Sequence, residues 1–252
     1  MSQLENSTAF ITAGAQGLGR GIAYALAEAG ADIVIAQRDI SKVDTVVAEI
    51  KALGRDAIAV QVDVTDMESV SNGVQQALKH FSKIDILVNN AGVGEKGIGE
   101  TTLETFDLCY DVNVKGIWRV VTEIVPHFKE NGGGKIVNIA SVSGRLGNGF
   151  IPAYCASKAA AISLTQSLAM AYGPDNINVN AICPGPIRTT MSIELLKDVD
   201  PNYHENYAKE YTQLKRLLTS EDIGQAVLFL VSSSAKNITG QALNVDGGHY
   251  MN

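Results

Sequence analysis

No stretch of about twenty apolar residues occurs in the sequence, so no membrane span is expected. The N-terminus, MSQLENSTAF, lacks a basic segment followed by an apolar one and does not read as a signal peptide. Cysteine is scarce: Cys109, Cys155 and Cys183 are odd in number and far apart. They fit neither a disulfide framework nor a metal-ligand spacing. They read as small buried apolar side chains of a protein kept in a reducing cytoplasm. Basic residues are the minority, 20 against 27 acidic, giving a net charge of −7, and they lie scattered along the chain. A nucleic-acid binder would show a basic stripe, so that class of partner is not expected. Linkers, repeats and low-complexity segments are also missing.

Hydrophobic residues make up 46% of the 252 positions and charged residues 19%, enough for a sizeable core. One α/β domain spanning residues 1–252 is expected. Short runs rich in Val and Ile recur at 9–12, 31–36, 57–62, 84–88, 135–139, 177–182 and 241–245. They are apolar without alternation, as strands buried on both faces of a parallel sheet are. Helix-like segments lie between them, at about 18–29, 42–53, 67–81, 105–131, 154–172 and 220–232. Strand and helix in alternation predict a doubly wound parallel sheet of about seven strands with helices on both faces, a Rossmann-like fold. One segment, 189–218, breaks the rhythm. It is polar, carries Tyr203, Tyr207 and Tyr211, and reads as a substrate lid or an irregular loop.

Three constellations carry chemistry. TAGAQGLG at 12–19 follows the first strand and opens the first helix. Glycines there let a backbone approach a pyrophosphate, whose charge meets free N–H groups at the helix start. The spacing G-x-x-G-x-G reverses the usual order of the dinucleotide fingerprint, and such a turn also occurs for packing alone. NNAG at 89–92 follows the fourth apolar run, where small residues at a strand's carboxyl end leave room for a ligand. Tyr154 and Lys158, four apart, stack on one face of a helix. A lysine ammonium beside a phenol favours the phenolate, and a phenol so tuned exchanges a proton with an alcohol or carbonyl oxygen. Ser141 lies thirteen residues earlier (154 − 141), and its hydroxyl is placed to bond the same oxygen. By itself, a Tyr–Lys pair at this spacing is commonplace on helix surfaces.

Together, in this order and over this length, these stretches resemble the short-chain dehydrogenase/reductase family, the single-domain branch of about 250 residues. DVT at 63–65, NVKG at 113–116, NVNAICPGPIRT at 178–189 and VDGG at 245–248 extend the resemblance over nearly the whole chain. It implies an oxidoreductase that moves hydride between a nicotinamide and a secondary alcohol or ketone. Tyr154 would be the general acid/base, Lys158 would lower its pKa and hold the nicotinamide ribose, and Ser141 would orient the substrate oxygen. Asn113 would anchor a water in a proton relay. Cofactor contacts are implied for Gly14, Gln16, Gly17, Leu18 and Gly19, for Asp63 and Val64 near adenine, and for Asn90, Ala91 and Gly92 near the ribose. Tyr154 and Lys158 also belong to that set, with Pro184, Gly185, Ile187 and Thr189 on the nicotinamide side. The family's loop begins T-G, whereas Ala13 stands at its first glycine. The expectation is therefore Ala13 at negative φ, with Gly14 absorbing any unusual geometry.

Cofactor choice turns on Gln37 and Arg38 at the end of the second strand. NAD-preferring members carry an acidic residue where Gln37 stands, and a guanidinium at Arg38 suits a 2′-phosphate, so NADP(H) is favoured over NAD(H). Gln16, where many NADP enzymes are basic, and the nearby Asp39 argue the other way. Substrate contacts are expected from Ser143, Arg145, Leu146, Gly94, Glu95, Lys96, Pro186, Arg188, Tyr203, His204 and Tyr207. The partner would be a small alcohol or ketone, and the resemblance implies a homotetramer paired through the two long helices. The alternatives are a 3-oxoacyl-carrier-protein reductase, for which a basic docking surface is lacking, and a catalytically silent nucleotide-binding scaffold, whose signature would be loss of Ser141, Tyr154 or Lys158. An enoyl reductase is counted against by the four-residue Tyr154–Lys158 spacing.

Overall fold

A computed structural model describes residues 3–95, 101–195 and 200–251. Seven parallel strands form one sheet in the order β3-β2-β1-β4-β5-β6-β7. They are β1 (Thr8–Thr12), β2 (Asp32–Gln37), β3 (Ala57–Gln61), β4 (Ile86–Asn89), β5 (Gly134–Ile139), β6 (Ile177–Pro184) and β7 (Ala242–Val245). The inner strands have almost no polar face because both faces are covered. Phe10 and Val34 point into one apolar layer, beneath α3 (Met67–Phe81), α5 (Gly116–Glu130) and α6 (Pro152–Tyr172). Their chain neighbours Ile11 and Ile35 point into the other, beneath α1 (Gly17–Glu28), α2 (Asp44–Ala52) and α9 (Ser220–Val231). Strand order reverses between β1 and β4. There the loops from the two strands' carboxyl ends diverge and open a crevice, where open α/β sheets bind ligands.

Two departures from the sequence expectation bear on function. The helix expected over 105–131 is α4 (Leu103–Tyr110), a π-helical turn (Asp111–Lys115) and then α5. The N–H of Gly116 bonds the Asp111 carbonyl five residues back. Arg119 reaches back to hold that turn, bonding the Asp111 carboxylate at 2.8 Å, its carbonyl at 3.2 Å and the Val64 carbonyl at 3.1 Å. The residues on either side of this single wide turn keep their helical character, so the segment reads as one helix. The second departure is the 189–218 insert, which folds in part into α7 (Thr190–Leu195) and α8 (Tyr203–Tyr211). Among the described residues no helix is long and apolar enough to cross a membrane, and all three cysteines are buried.

Candidate active site

The crevice begins at the end of β1. The Thr12 hydroxyl accepts the N–H groups of Asn90 and Ala91, each at 2.9 Å. The Asn90 side-chain amide donates back to the carbonyls of Thr12 at 3.1 Å and Ala13 at 3.0 Å. The glycine loop and the NNAG stretch are thereby one unit. Within it the expectation for Ala13 is corrected: its φ is +53°, and Gly14 is not among the residues with positive φ. Gly14 is small for another reason. A Cβ there would lie 3.0 Å from Ile35 Cδ1 and 3.3 Å from the Ile11 carbonyl oxygen, so Gly14 packs beneath the crevice rather than lining it. Gly17 takes φ +52°, and a Cβ on buried Gly19 would lie 2.2 Å from the Ala13 oxygen. Helix α1 starts without a side-chain cap and without an acidic residue in its first turn. Its leading N–H groups and positive end therefore fit the pyrophosphate of a dinucleotide.

At the outer edge lie Gln37, Arg38, Asp63 and Val64. The Gln37 side-chain oxygen accepts the Ala15 N–H at 3.4 Å. Arg38 is exposed, and its guanidinium forms no hydrogen bond or ion pair among the described residues. The Asp39 carboxylate accepts the Ser41 N–H at 2.9 Å, within its own turn. Asp63 accepts the N–H and hydroxyl of Thr65 at 2.9 and 2.7 Å. Burial pushes the Asp63 carboxyl up, but the Thr65 bonds, with Arg38 and Arg119 nearby, hold it below its ordinary value.

A cleft of about 470 Å³ runs inward from α1. Of the predicted cofactor positions it is lined by Gln16, Gly17, Leu18, Asn90, Gly92, Pro184, Gly185, Ile187 and Thr189. Ser141, Tyr154 and Lys158 form its floor and one wall. Lys158 is 4% exposed and donates to the Ile139 carbonyl at 2.8 Å. Its ammonium lies 5.6 Å from the centre of the Tyr154 ring, and burial pulls its pKa down to about 8. Burial pushes the Tyr154 phenol up to about 12, against a hydrogen bond from Ser141 that favours the phenolate. Burial is thus the largest influence on both groups, and it opposes the tuning that the sequence reading assigns to Lys158.

Asn113 sits in the π turn, 1% exposed, behind the cleft. Its amide exchanges hydrogen bonds with the Val93 backbone, at 2.9 Å from the Val93 N–H and 3.0 Å to its carbonyl, and donates to the Ser157 hydroxyl at 2.9 Å. Ser157 in turn donates to the Tyr154 carbonyl at 2.8 Å. The wide turn thus ties the β4 exit loop to the first turns of α6.

Among expected substrate contacts, Ser143, Gly94, Glu95, Pro186, Tyr203, His204 and Tyr207 line the cleft. Arg145 does not. It points away, to the Ala242 carbonyl and toward the Tyr250 ring, and so fastens the Ser141 loop to β7 and the C-terminal tail. Leu146 is also absent from the lining. Arg188 is exposed and pairs with Glu205 at 3.4 Å, and Lys96 lies outside the described residues. The sequence reading missed Asn148, Phe150, Met191, Ser192 and His249, all of which line the cleft. His204 bonds Ser192 at 2.9 Å, and Ser192 in turn bonds Thr189. The Tyr207 hydroxyl bonds His249 at 3.2 Å. Burial holds both histidines below their ordinary pKa, so they are neutral at pH 7. His249 stands directly after VDGG, but no residue pattern there marks it as facing a ligand.

An uncapped helix at a strand-order reversal, facing a half-buried tyrosine and a buried lysine, defines a nucleotide-binding α/β oxidoreductase. Comparison with known proteins gives the family. The family model described as enoyl-(acyl carrier protein) reductase matches residues 12–250. The chain is 37% identical to galactitol 2-dehydrogenase from Agrobacterium fabrum over 99% of both chains. It is 34% identical to the 3-oxoacyl-[acyl-carrier-protein] reductase FabG of Staphylococcus epidermidis, covering 98% of this chain and all of that one. The solved structure of a 7α-hydroxysteroid dehydrogenase with NADH and 7-oxo glycochenodeoxycholic acid superposes with a TM-score of 0.90 at 35% identity, covering 99% of this chain and 97% of the other. The chain belongs to the short-chain dehydrogenase/reductase family and is an NAD(P)-dependent oxidoreductase acting on CH–OH groups.

Proposed function

We propose that the protein interconverts a small neutral ketone and its secondary alcohol, with Tyr154 as the proton donor and acceptor. The observation that carries this reading is the Tyr154 phenol, hydrogen-bonded to Ser141 and 5.6 Å from the Lys158 ammonium, at the wall of the cleft that begins at α1. A nicotinamide dinucleotide would be held by the α1 N–H groups, the Asn90–Gly92 backbone, Lys158 and Thr189, and it supplies or accepts the hydride. In reduction, Ser141 orients the carbonyl oxygen by hydrogen bonding and Tyr154 gives it the proton. In oxidation, Tyr154 takes the proton from the hydroxyl. Lys158 replenishes the phenol and stabilises its anion, and Asn113 supports the relay by fixing Ser157 and with it the turn that carries both groups. The α7–α8 insert covers the substrate, joined to the Thr189 loop through His204–Ser192 and Arg188–Glu205.

For the cofactor, NADP(H) is favoured over NAD(H). The Arg38 guanidinium is exposed at the β2 end, while the Asp39 carboxylate is turned to its own backbone, which reduces the repulsion a 2′-phosphate would meet. For the substrate, Lys158 is the sole lysine or arginine lining the cleft among the described residues, and its two histidines are neutral. Apart from Lys158, which lies beside Tyr154, a carboxylate or phosphate on the substrate would have no counter-ion there. Neutral alcohols of the kind named by the galactitol relative suit this wall better than an anionic carrier. The FabG relative keeps 3-oxoacyl reduction as the second reading, and the Tyr154–Lys158 spacing weighs against enoyl reduction. Exposed Leu103, Phe106 and Trp118 on α4 and α5 and Met170 on α6 support a homotetramer paired through the 105–131 and 154–172 helices, and a cytoplasmic location accords with the three free thiols. A panel of neutral and anionic ketones, assayed with NADPH and NADH by nicotinamide absorbance, tests the proposal. Turnover confined to anionic or carrier-bound substrates would overturn it.

A further inference from the structure

Helix α6 carries both Tyr154 and Lys158, yet its start has no cap of its own. The residue before it, Ile151, has no side chain able to accept a hydrogen bond, and Pro152 opens the first turn without an N–H. Cys155 is satisfied by the Ile151 carbonyl at 3.0 Å. The donors left over are the N–H groups of Ala153 and Tyr154. Both are met by Glu95, from 58 and 59 residues away, each at 3.4 Å to one of the two carboxylate oxygens. The Thr101 hydroxyl donates to the same carboxylate. Glu95 is 2% exposed, so its oxygens are satisfied by this helix start rather than by solvent.

We infer that Glu95 is a positioning residue for the catalytic tyrosine: it holds the first turn of α6 against the exit of β4 and so sets where the Tyr154 hydroxyl stands relative to the cofactor side of the cleft. Both main-chain polar groups of Tyr154 are then held by side chains. Glu95 takes its N–H, and Ser157, itself held by Asn113, bonds its carbonyl. Glu95 and Asn113 work from the same loop, since Asn113 holds Val93, two residues before Glu95. A carboxylate at the positive end of a 21-residue helix is favourable for the helix as well. Glu95 also lines the cleft, so this role is distinct from the substrate contact expected of it from the sequence. The acceptor function uses both oxygens, one for each N–H, so an amide can supply half of it and an alanine none.

The inference rests on Tyr154 as acid/base. Near-normal turnover by Tyr154→Phe would defeat that assignment, whereas a fully active Glu95→Ala would defeat this inference alone. The test compares Glu95→Ala, Glu95→Gln and Thr101→Val in the full chain, at a temperature where circular dichroism shows each folded. Glu95→Ala is expected to lower kcat about tenfold or more, since small misplacements of a reacting group are costly. Cofactor Kd, by fluorescence titration, should stay within about twofold. Glu95→Gln, which keeps one acceptor oxygen but turns an NH2 donor toward the other N–H, should recover part of the kcat lost in Glu95→Ala, with an unchanged pH profile. Thr101→Val, which loosens the carboxylate without removing it, should fall in between, and it decides the matter if Glu95→Ala does not fold. A folded Glu95→Ala, or failing that Thr101→Val, with kcat within about twofold of wild type contradicts the inference. So does a Glu95→Gln variant whose main defect is a raised substrate KM, because that is the signature of a direct substrate contact.

Discussion

The Asn90 amide donates to the Ala13 carbonyl oxygen at 3.0 Å, and Ala13 is the non-glycine residue of the glycine loop with left-handed backbone. The same amide bonds the Thr12 carbonyl, and the Ala13 N–H bonds Ala36 at 2.7 Å. Three hydrogen bonds from two other strands' ends thus hold the turn in a conformation that an alanine disfavours by about 1–2 kcal/mol.

Ala13→Gly should therefore stabilise the protein. Relief of the left-handed strain outweighs the extra freedom of glycine in the unfolded chain, for a net gain of about 0.5–1 kcal/mol, or roughly 1–3 °C in Tm. Gly14→Ala should do the opposite, by about 1–3 kcal/mol, because its methyl would press on Ile35 and Ile11. Urea unfolding of both variants checks the pair, and the assignment of strain to Ala13 fails if the two signs are reversed.

Arg145→Ala should cost stability without touching substrate recognition. The guanidinium ties the Ser141 loop to Ala242 in β7, and removing a part-buried, charged partner of a carbonyl costs about 1–2 kcal/mol. The ketone KM should remain within about twofold, and a large rise in KM would return Arg145 to the substrate wall.

Arg38→Ala should reduce kcat/KM for NADPH by about tenfold or more while leaving NADH nearly unchanged. The NADPH loss should shrink as salt is raised, because an exposed charge is screened. Equal losses with the two cofactors would remove Arg38 from the choice between them.

Stability without cofactor should rise between about pH 7.5 and 9.5. Lys158 has a folded pKa of about 8 against an ordinary value of 10.5, so in this window the unfolded chain binds the extra proton. A group depressed in this way penalises the fold fully below its folded pKa, and the penalty is relieved as pH climbs toward the unfolded value. The gain is on the order of 1–2 kcal/mol, and Lys158→Met should lack it. Tyr154 acts in the opposite sense only above about pH 10, since its folded pKa is about 12. Parallel pH dependence in the two proteins, measured by urea unfolding, would show that another group is responsible.

Much of the fold was legible because parallel strands buried on both faces are short unbroken apolar runs. All seven runs became strands, and 67–81 became a helix with those bounds. The Asp66 side chain capping Glu68 marks its start. The π turn was not read, although buried Val112 and Ile117 stand five apart, wider than the three or four residues of α-helical apolar spacing, while Asn113 is drawn aside to Val93. In the site, Tyr154, Lys158 and Ser141 were readable as a motif. Glu95 was readable as a cleft residue, but its hold on the α6 start was not, nor were the place of Arg145 at β7 and of His249 at Tyr207, since each is defined by a partner far along the chain. The pKa argument from Lys158 used spacing alone, and spacing carries no information about desolvation.

The most direct measurement is the turnover of Tyr154→Phe with a neutral ketone that the wild type reduces, alongside cofactor titration of the same variant. The account predicts a loss of about 10²–10⁴ in kcat with cofactor Kd within about twofold. Near-normal turnover with intact cofactor binding would contradict it and move the proton donor away from Tyr154.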